Sequence, residues 1–169
     1  MSEKELVQRA KQGSKEAFCD LYSLYKDRLY KYAFYKLGNP DDAQDVVSET
    51  VLSAFRQISS LKRAQAFPAW IFKILNSYCS QYIKNQISSR EMLNLESIEN
   101  RVCFQEKYSI SVELSFALDK LEDDERDIVL LCVVAGFKSR EAAQLLGMTA
   151  GSVRSKLSRS LDKMRKYLE

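Results

Sequence analysis

Histidine is absent from this chain of 169 residues. With no imidazole, the usual general base at neutral pH and the commonest nitrogen ligand for zinc are both missing. Cysteine does not stand in for it. Cys19, Cys79, Cys103 and Cys132 lie far apart with no C-x-x-C pair, a spacing that excludes a zinc site and reads as reduced, core-filling thiols. Also missing is any run of 18 uninterrupted apolar residues, and Met1-Ser2-Glu3-Lys4-Glu5 leads into an amphipathic segment. No membrane insertion and no export signal are expected, which places the protein in the cytoplasm. Glycine and proline number only 5 and 2. They punctuate the chain at Gly13-Ser14, Gly38-Asn39-Pro40, Phe67-Pro68, Gly136 and Gly147.

What is present is enough apolar side chain to fold: 46% of residues are hydrophobic and 29% charged. The net charge of +3 conceals a separation of sign along the chain. From Thr50 to Arg90 there are six basic residues and no acidic one, and from Lys138 to Glu169 eight basic residues face three acidic. Two cationic stretches call for a polyanion.

Apolar residues recur at helical spacing throughout, so the expected fold is all-α. A short helix around Leu6, Val7 and Ala10 is followed by a long one over about 15–37. Phe18, Leu21, Tyr22, Tyr25, Leu29, Tyr32 and Ala33 form its apolar stripe. A third helix follows Asn39-Pro40, burying Ala43, Val46, Val47, Thr50, Val51, Ala54, Phe55 and Ile58. Its opposite face carries Asp45, Glu49, Leu52 and Arg56 at i, i+4, i+7 and i+11, a leucine set among charges, which is the composition of a docking surface. Asp41 and Asp42 also suit a helix N-terminus without any partner.

A basic polar loop, Ser59 to Ala66, then leads to a helix restarting at Phe67-Pro68. Cations that track a phosphate backbone beside rings that stack on bases suit a single strand, which singles out Trp70, Phe72, Tyr78 and Tyr82. Trp70, Ile74, Tyr78 and Tyr82 are spaced by four, however, so core packing is the competing use of those rings. Residues 87–111 lose the pattern and read as a linker between a domain at 1–86 and one at 112–169. Met92, Leu93, Leu95, Ile98 and Val102 allow a transient helix within it.

The C-terminal domain reads as a four-helix unit. Leu114, Ala117, Leu118 and Leu121 mark its first helix, Glu122-Asp123-Asp124-Glu125 starts a second, and Ile128 to Val134 are expected to be buried. Lys138 to Leu157 then reads as a helix-turn-helix. Ser139 is the expected N-cap, Ala142, Ala143, Leu145 and Leu146 the apolar face, Gly147 the exit and Thr149 the second cap. Val153, Leu157, Leu161 and Met164 form the expected buried stripe. Ser152, Arg154, Ser155, Lys156 and Arg159 point away from it, as donors for phosphates and base edges in a major groove. A plain αα-hairpin with a solvated basic face would share much of this pattern.

In Arg28-Leu29-Tyr30, in Gly38-Asn39-Pro40-Asp41-Asp42-Ala43-Gln44-Asp45-Val46-Val47-Ser48-Glu49-Thr50, and in Phe67-Pro68-Ala69-Trp70-Ile71-Phe72-Lys73-Ile74, the chain resembles the extracytoplasmic-function sigma factors of bacterial RNA polymerase. Leu118-Asp119-Lys120-Leu121, Glu125 to Leu131 and the helix-turn-helix resemble the second domain of that family, in the right order. The resemblance implies that Asp45, Glu49, Leu52 and Arg56 dock on the clamp helices of the largest core RNA polymerase subunit. It implies that Lys62, Arg63, Gln65, Phe72, Lys73 and Asn76 hold the melted promoter element near −10. Ser152, Arg154, Ser155 and Arg159 would read the −35 duplex, with Lys156 and Lys163 positioning on phosphates. No catalytic residue, metal or cofactor is implied; the free protein would be a monomer, and such proteins are often partnered by an anti-sigma factor. Two rivals remain at this point: an autonomous DNA-binding regulator, and a metal-dependent enzyme on nucleic acid built around Asp41, Asp42 and Asp45.

Overall fold

The structure, a computed structural model, describes residues 1–88 and 111–168. All regular elements among them are helical, in two modules. In the first module, α1 (Glu3–Lys11) starts where the Ser2 hydroxyl accepts the Glu5 N–H and the Glu5 carboxylate accepts the Ser2 N–H. Gly13, at φ +102°, turns the chain, and Ser14 caps α2 (Lys15–Leu37) by accepting the Ala17 N–H at 3.1 Å. Gly38 leaves α2 through a left-handed conformation, φ +79°, that costs glycine nothing. Asn39 then caps α3 (Pro40–Gln57), with Pro40 in the first turn where no N–H partner is needed. Two 3₁₀ turns, Ile58–Ser60 and Ala64–Ala66, carry the chain to α4 (Phe67–Ser88).

Helix α2 is the centre of this module and packs on α1, α3 and α4. Its first half buries one stripe, as the spacing predicts. Its second half is buried on every side: Leu29, Tyr30, Tyr32, Ala33, Phe34 and Tyr35 are each at most 4% exposed. A helix apolar all round must have neighbours all round, and here the missing neighbour is the second module.

That module consists of α5 (Val112–Asp119), α6 (Asp123–Val129), α7 (Ser139–Leu146) and α8 (Ala150–Leu168), with α5, α6 and α7 all packed on α8. Arg126 donates to the Leu118 and Leu121 carbonyls and so ties α6 back to the end of α5. Helix α4 continues to Ser88 and Ser111 caps α5; the linker expected between them, with its transient helix and Cys103, lies outside the described residues at 89–110.

Four local expectations need correction. Phe55, expected in the core, is 37% exposed and packs edge-on against Phe18, ring centroids 5.2 Å apart. The apolar run after Ile128 is buried only as far as Leu131. Residues Leu130–Val134 form a π-helical turn, whose wider winding leaves Val133 53% exposed. Lys138, not Ser139, precedes the first residue of α7; its own N–H is taken by Glu141, while Ser139 is already helical. On α8 the buried line is Val153, Ser160 and Met164, with Leu157 and Leu161 only half-buried. At 3.6 residues per turn Ser160 lies about 20° round the helix from Val153 and Leu161 about 80°, so the serine falls nearer the middle of the face.

Candidate functional site

Three surfaces collect the residues singled out from sequence. The first is the outer face of α3, where Asp45, Glu49, Leu52 and Arg56 are all exposed and Leu52 is 55% exposed. Successive steps of four, three and four residues keep the four within about 60° of one another round the helix. Phe55, one turn beyond Leu52, enlarges the apolar part of this strip. Its i+3 spacing from Leu52 was the available signal, masked because it also fits the buried period.

The second surface is formed by the 3₁₀ turns and α4. Lys62, Arg63, Gln65 and Lys73 are exposed. Phe72 and Asn76 are not presented with them, contrary to the reading of α4 as an open strand-binding face. Phe72 is 1% exposed, held edge-on between Tyr32 at 5.8 Å and Phe137 of the second module at 5.2 Å. The Asn76 side-chain oxygen accepts hydrogen bonds from the Tyr32 hydroxyl, at 2.9 Å, and from Lys36. Lys73 escapes because it lies about 100° round the helix from Phe72.

The other rings are only partly exposed. Trp70 and Tyr78 are half-buried against the core, and Trp70 lies against Phe67. Tyr82 is half-buried too; burial first, and then its hydrogen bond to Asp42, pushes its hydroxyl far above the usual tyrosine range, so it ties α4 to the start of α3 as a neutral phenol. Cys79, behind Asn76, is fully buried and its thiol is pushed up to about 12, burial outweighing the opposing pull of Lys36. It stays protonated and serves as packing.

What covers Phe72, and what engages the Lys36 that bonds Asn76, is a seam between the modules. Lys36, near the end of α2, pairs with Asp127 of α6 at 2.8 Å, with side chains only 7% and 21% exposed. Arg28, one face of which lies over the Tyr25 ring at 4.5 Å, donates to the Ala135 carbonyl at 3.4 Å. The Tyr35 hydroxyl accepts the Ser111 N–H. The π turn ends at Ala135, and Gly136, at φ +82°, redirects the chain so that Phe137 reaches Phe72.

The third surface is α8. Thr149 caps it through the Ser152 N–H at 3.1 Å. Arg154, Ser155 and Arg159 are exposed and Ser152 is half-buried. Two cations assigned to this face are otherwise engaged. Lys156 pairs with Asp124, and Lys163 with Glu125 at 3.1 Å, both carboxylates belonging to the acidic first turn of α6. They stand on the shoulder of the buried line, about 60° and 80° from Val153, where α6 passes. Both carboxyls are held below their usual range: Asp124 chiefly by its bond with Lys156, Glu125 first by the Glu122 N–H and then by Lys163.

Among the described residues, no group of three or more His, Cys, Asp or Glu could hold a metal ion, and no helix is long and apolar enough to cross a membrane. Asp41, Asp42 and Asp45 start and line α3 and belong to no such group.

Residues 21–87 match the family Sigma-70 region 2, and residues 111–164 match Sigma-70, region 4. The chain is 31% identical over 139 residues to the ECF RNA polymerase sigma factor EcfG of Rhodopseudomonas palustris, covering 80% of this chain and 76% of that one. It is 29% identical over 158 residues to the ECF RNA polymerase sigma factor BldN of Streptomyces coelicolor, covering 89% of this chain but spanning only 60% of BldN. Among solved structures it is similar in fold to CnrH in complex with the cytosolic domain of CnrY, at a TM-score of 0.74 and 23% identity, over 98% of this chain and 96% of that one.

Proposed function

Because the chain belongs to the extracytoplasmic-function sigma factors of the sigma-70 family, we propose that it is a promoter-specificity subunit, binding core RNA polymerase in the cytoplasm and directing it to its promoters. It performs no chemistry itself. The observation that carries this reading is the exposed Asp45, Glu49, Leu52 and Arg56 strip on α3, which docks on the clamp helices of the largest polymerase subunit. A surface leucine among charges has no folding role, and an autonomous DNA-binding regulator would leave it unused.

Residues 1–86 serve as the polymerase and −10 domain, 87–111 as the linker and 112–169 as the −35 domain. The exposed face of α8, through Ser152, Arg154, Ser155 and Arg159, reads the −35 duplex in the major groove. Lys62, Arg63, Gln65 and Lys73, joined by Phe72 and Asn76 once these are uncovered, hold one strand of the −10 element. Strand separation loses about 1.4 kcal/mol of stacking per base-pair step, so single-strand contacts of this kind are what favours the melted state. The free protein is a monomer, and an anti-sigma factor would act by occupying these surfaces.

Run-off transcription with core polymerase on a promoter library tests the proposal. Wild type is expected to stimulate initiation on a subset of templates, and Leu52→Asp to lose both core binding and stimulation while keeping its helicity and its binding to duplex DNA. No stimulation on any template, or full activity of Leu52→Asp, would sink it.

A further inference from the structure

The seam hides from solvent the part of α4 that a single strand would need, and it does so with an anion. Lys36 lies beside Asn76 and over the ring of Tyr32, 5.6 Å from its centroid, with Phe72 next in line. A cation, an amide and two rings side by side are the elements of a nucleotide site, a phosphate partner next to a base partner. In the closed structure the anion beside Lys36 is the Asp127 carboxylate, and the ring against Phe72 is Phe137.

We propose that Asp127 and Phe137 act as an internal mimic of a nucleotide, the carboxylate in the place of a backbone phosphate and the ring in the place of an unstacked base, and that Lys36 is a strand-contacting residue revealed when the modules part. The inference rests on the reading of α4 as the −10 strand surface and adds to it a residue on a different helix and a competitor within the chain.

Three features make the seam a switch rather than a permanent core. It is polar at its centre, and an ion pair withdrawn from water returns little net stability, so replacing one anion by another is nearly balanced. It is bordered by an open groove of about 250 Å³ where Lys84, Asp123 and Arg126 face one another around the pair. Finally, on the second module it is built from a π turn and a glycine bend, wound less tightly than an α-helix. Parting the modules without a strand returns Lys36 to water but leaves the Phe72 and Phe137 rings exposed, a loss that a stacked base would offset. The closed state is therefore favoured until nucleic acid is at hand.

The test uses the full chain and a fluorescein-labelled single-stranded DNA of mixed sequence, with affinity read by anisotropy and shape by small-angle scattering. Asp127→Asn is expected to bind the strand about tenfold tighter than wild type and to scatter as a more extended particle, since the population of the competent state sets the apparent affinity. Adding Lys36→Gln should cancel that gain. The paired exchange Lys36→Asp with Asp127→Lys should restore the compact shape. Phe137→Ala loosens the seam without touching a charge and should raise affinity too, which keeps the test open if Asp127→Asn loses helicity. Unchanged affinity in both Asp127→Asn and Phe137→Ala overturns the proposal, as does a gain that survives Lys36→Gln. Run-off transcription reads the polymerase role separately: active initiation with no gain in Asp127→Asn would remove the mimic and leave the promoter function standing.

Discussion

Helices α4 and α8 each carry a basic face, and the protein treats the two differently. On α8, Arg154, Ser155 and Arg159 stand in solvent; on α4, Phe72 is covered by Phe137 of the other module and Asn76 is engaged by Tyr32 and Lys36 of α2. Under the proposed roles, the difference follows from what each face would recognise. A duplex is read by its groove edges and phosphates, so the reader can be wholly polar and stay wet. An unpaired base is held by stacking, so its reader must include apolar rings. Rings left in water cost hydrophobic free energy and invite association, and the free protein avoids this by closing one module over the other. On the proposed roles, the open and closed faces are two consequences of one chemical distinction between paired and unpaired bases.

The sharpest way to break this comparison is to truncate the ring at its centre. Phe72→Ala removes a side chain that packs on both Tyr32 and Phe137, and a substitution of this kind in a core costs about 3–5 kcal/mol. Arg154→Ala, on the open face, should leave stability within about 0.5 kcal/mol of wild type. Thermal denaturation followed by circular dichroism distinguishes them. If Phe72→Ala melts with wild type, the ring is not buried in solution and α4 is as open as α8.

Where neighbours in sequence determine structure, the pattern was legible. The bounds of α2, the turn at Gly38-Asn39-Pro40, the cap at Thr149 and the exposed leucine at position 52 all follow from spacing and side-chain chemistry within a few residues. The family and the two-module all-α fold were legible for the same reason. The seam was not. Lys36 and Asp127 are 91 positions apart, and each looks like an ordinary surface charge on its own helix. The one local sign was the second half of α2, where Tyr30, Phe34 and Tyr35 add apolar side chains outside the stripe read from Phe18 to Ala33. The π turn had no signal either, since Leu130 to Val134 read as a plain buried helix. On α8 a hydrophobic count favoured Leu161 over Ser160, although helical geometry places the serine nearer the centre.

A smaller effect tests how open α8 is. Each cation that meets a phosphate releases counterions and adds close to one unit to the salt dependence of duplex binding. Arg154→Ala and Arg159→Ala should each lower that slope by about one. Lys156→Gln should lower it by less, because Lys156 already faces Asp124 and gives up that partner to reach DNA. Duplex titrations at several salt concentrations measure all three. Equal slopes for Lys156→Gln and Arg154→Ala would show that the acidic turn of α6 does not compete.

The smallest effect is the pH dependence of that acidic turn, and its sign is determined by the direction of the shifts. Asp124 and Glu125 both hold their carboxyls below the ordinary range. A carboxyl depressed in the folded state contributes stability that is complete above its unfolded value, about 3.9 for aspartate and 4.3 for glutamate, and is lost as pH falls through the folded value. The C-terminal module should therefore lose part of its stability below about pH 4.5 and none between pH 6 and 8 from this source. Surface pairs of this type contribute only ~0–1 kcal/mol, so a shift of a few degrees in melting temperature is the expected scale. Glu125→Gln should flatten the acid limb of the melting curve and leave the neutral plateau lower, since the amide oxygen accepts the Glu122 N–H less strongly and attracts Lys163 hardly at all. An acid limb unchanged by Glu125→Gln would mean that neither the Glu122 N–H nor Lys163 holds this carboxyl down in solution, and that Lys163 is free to serve the open face after all.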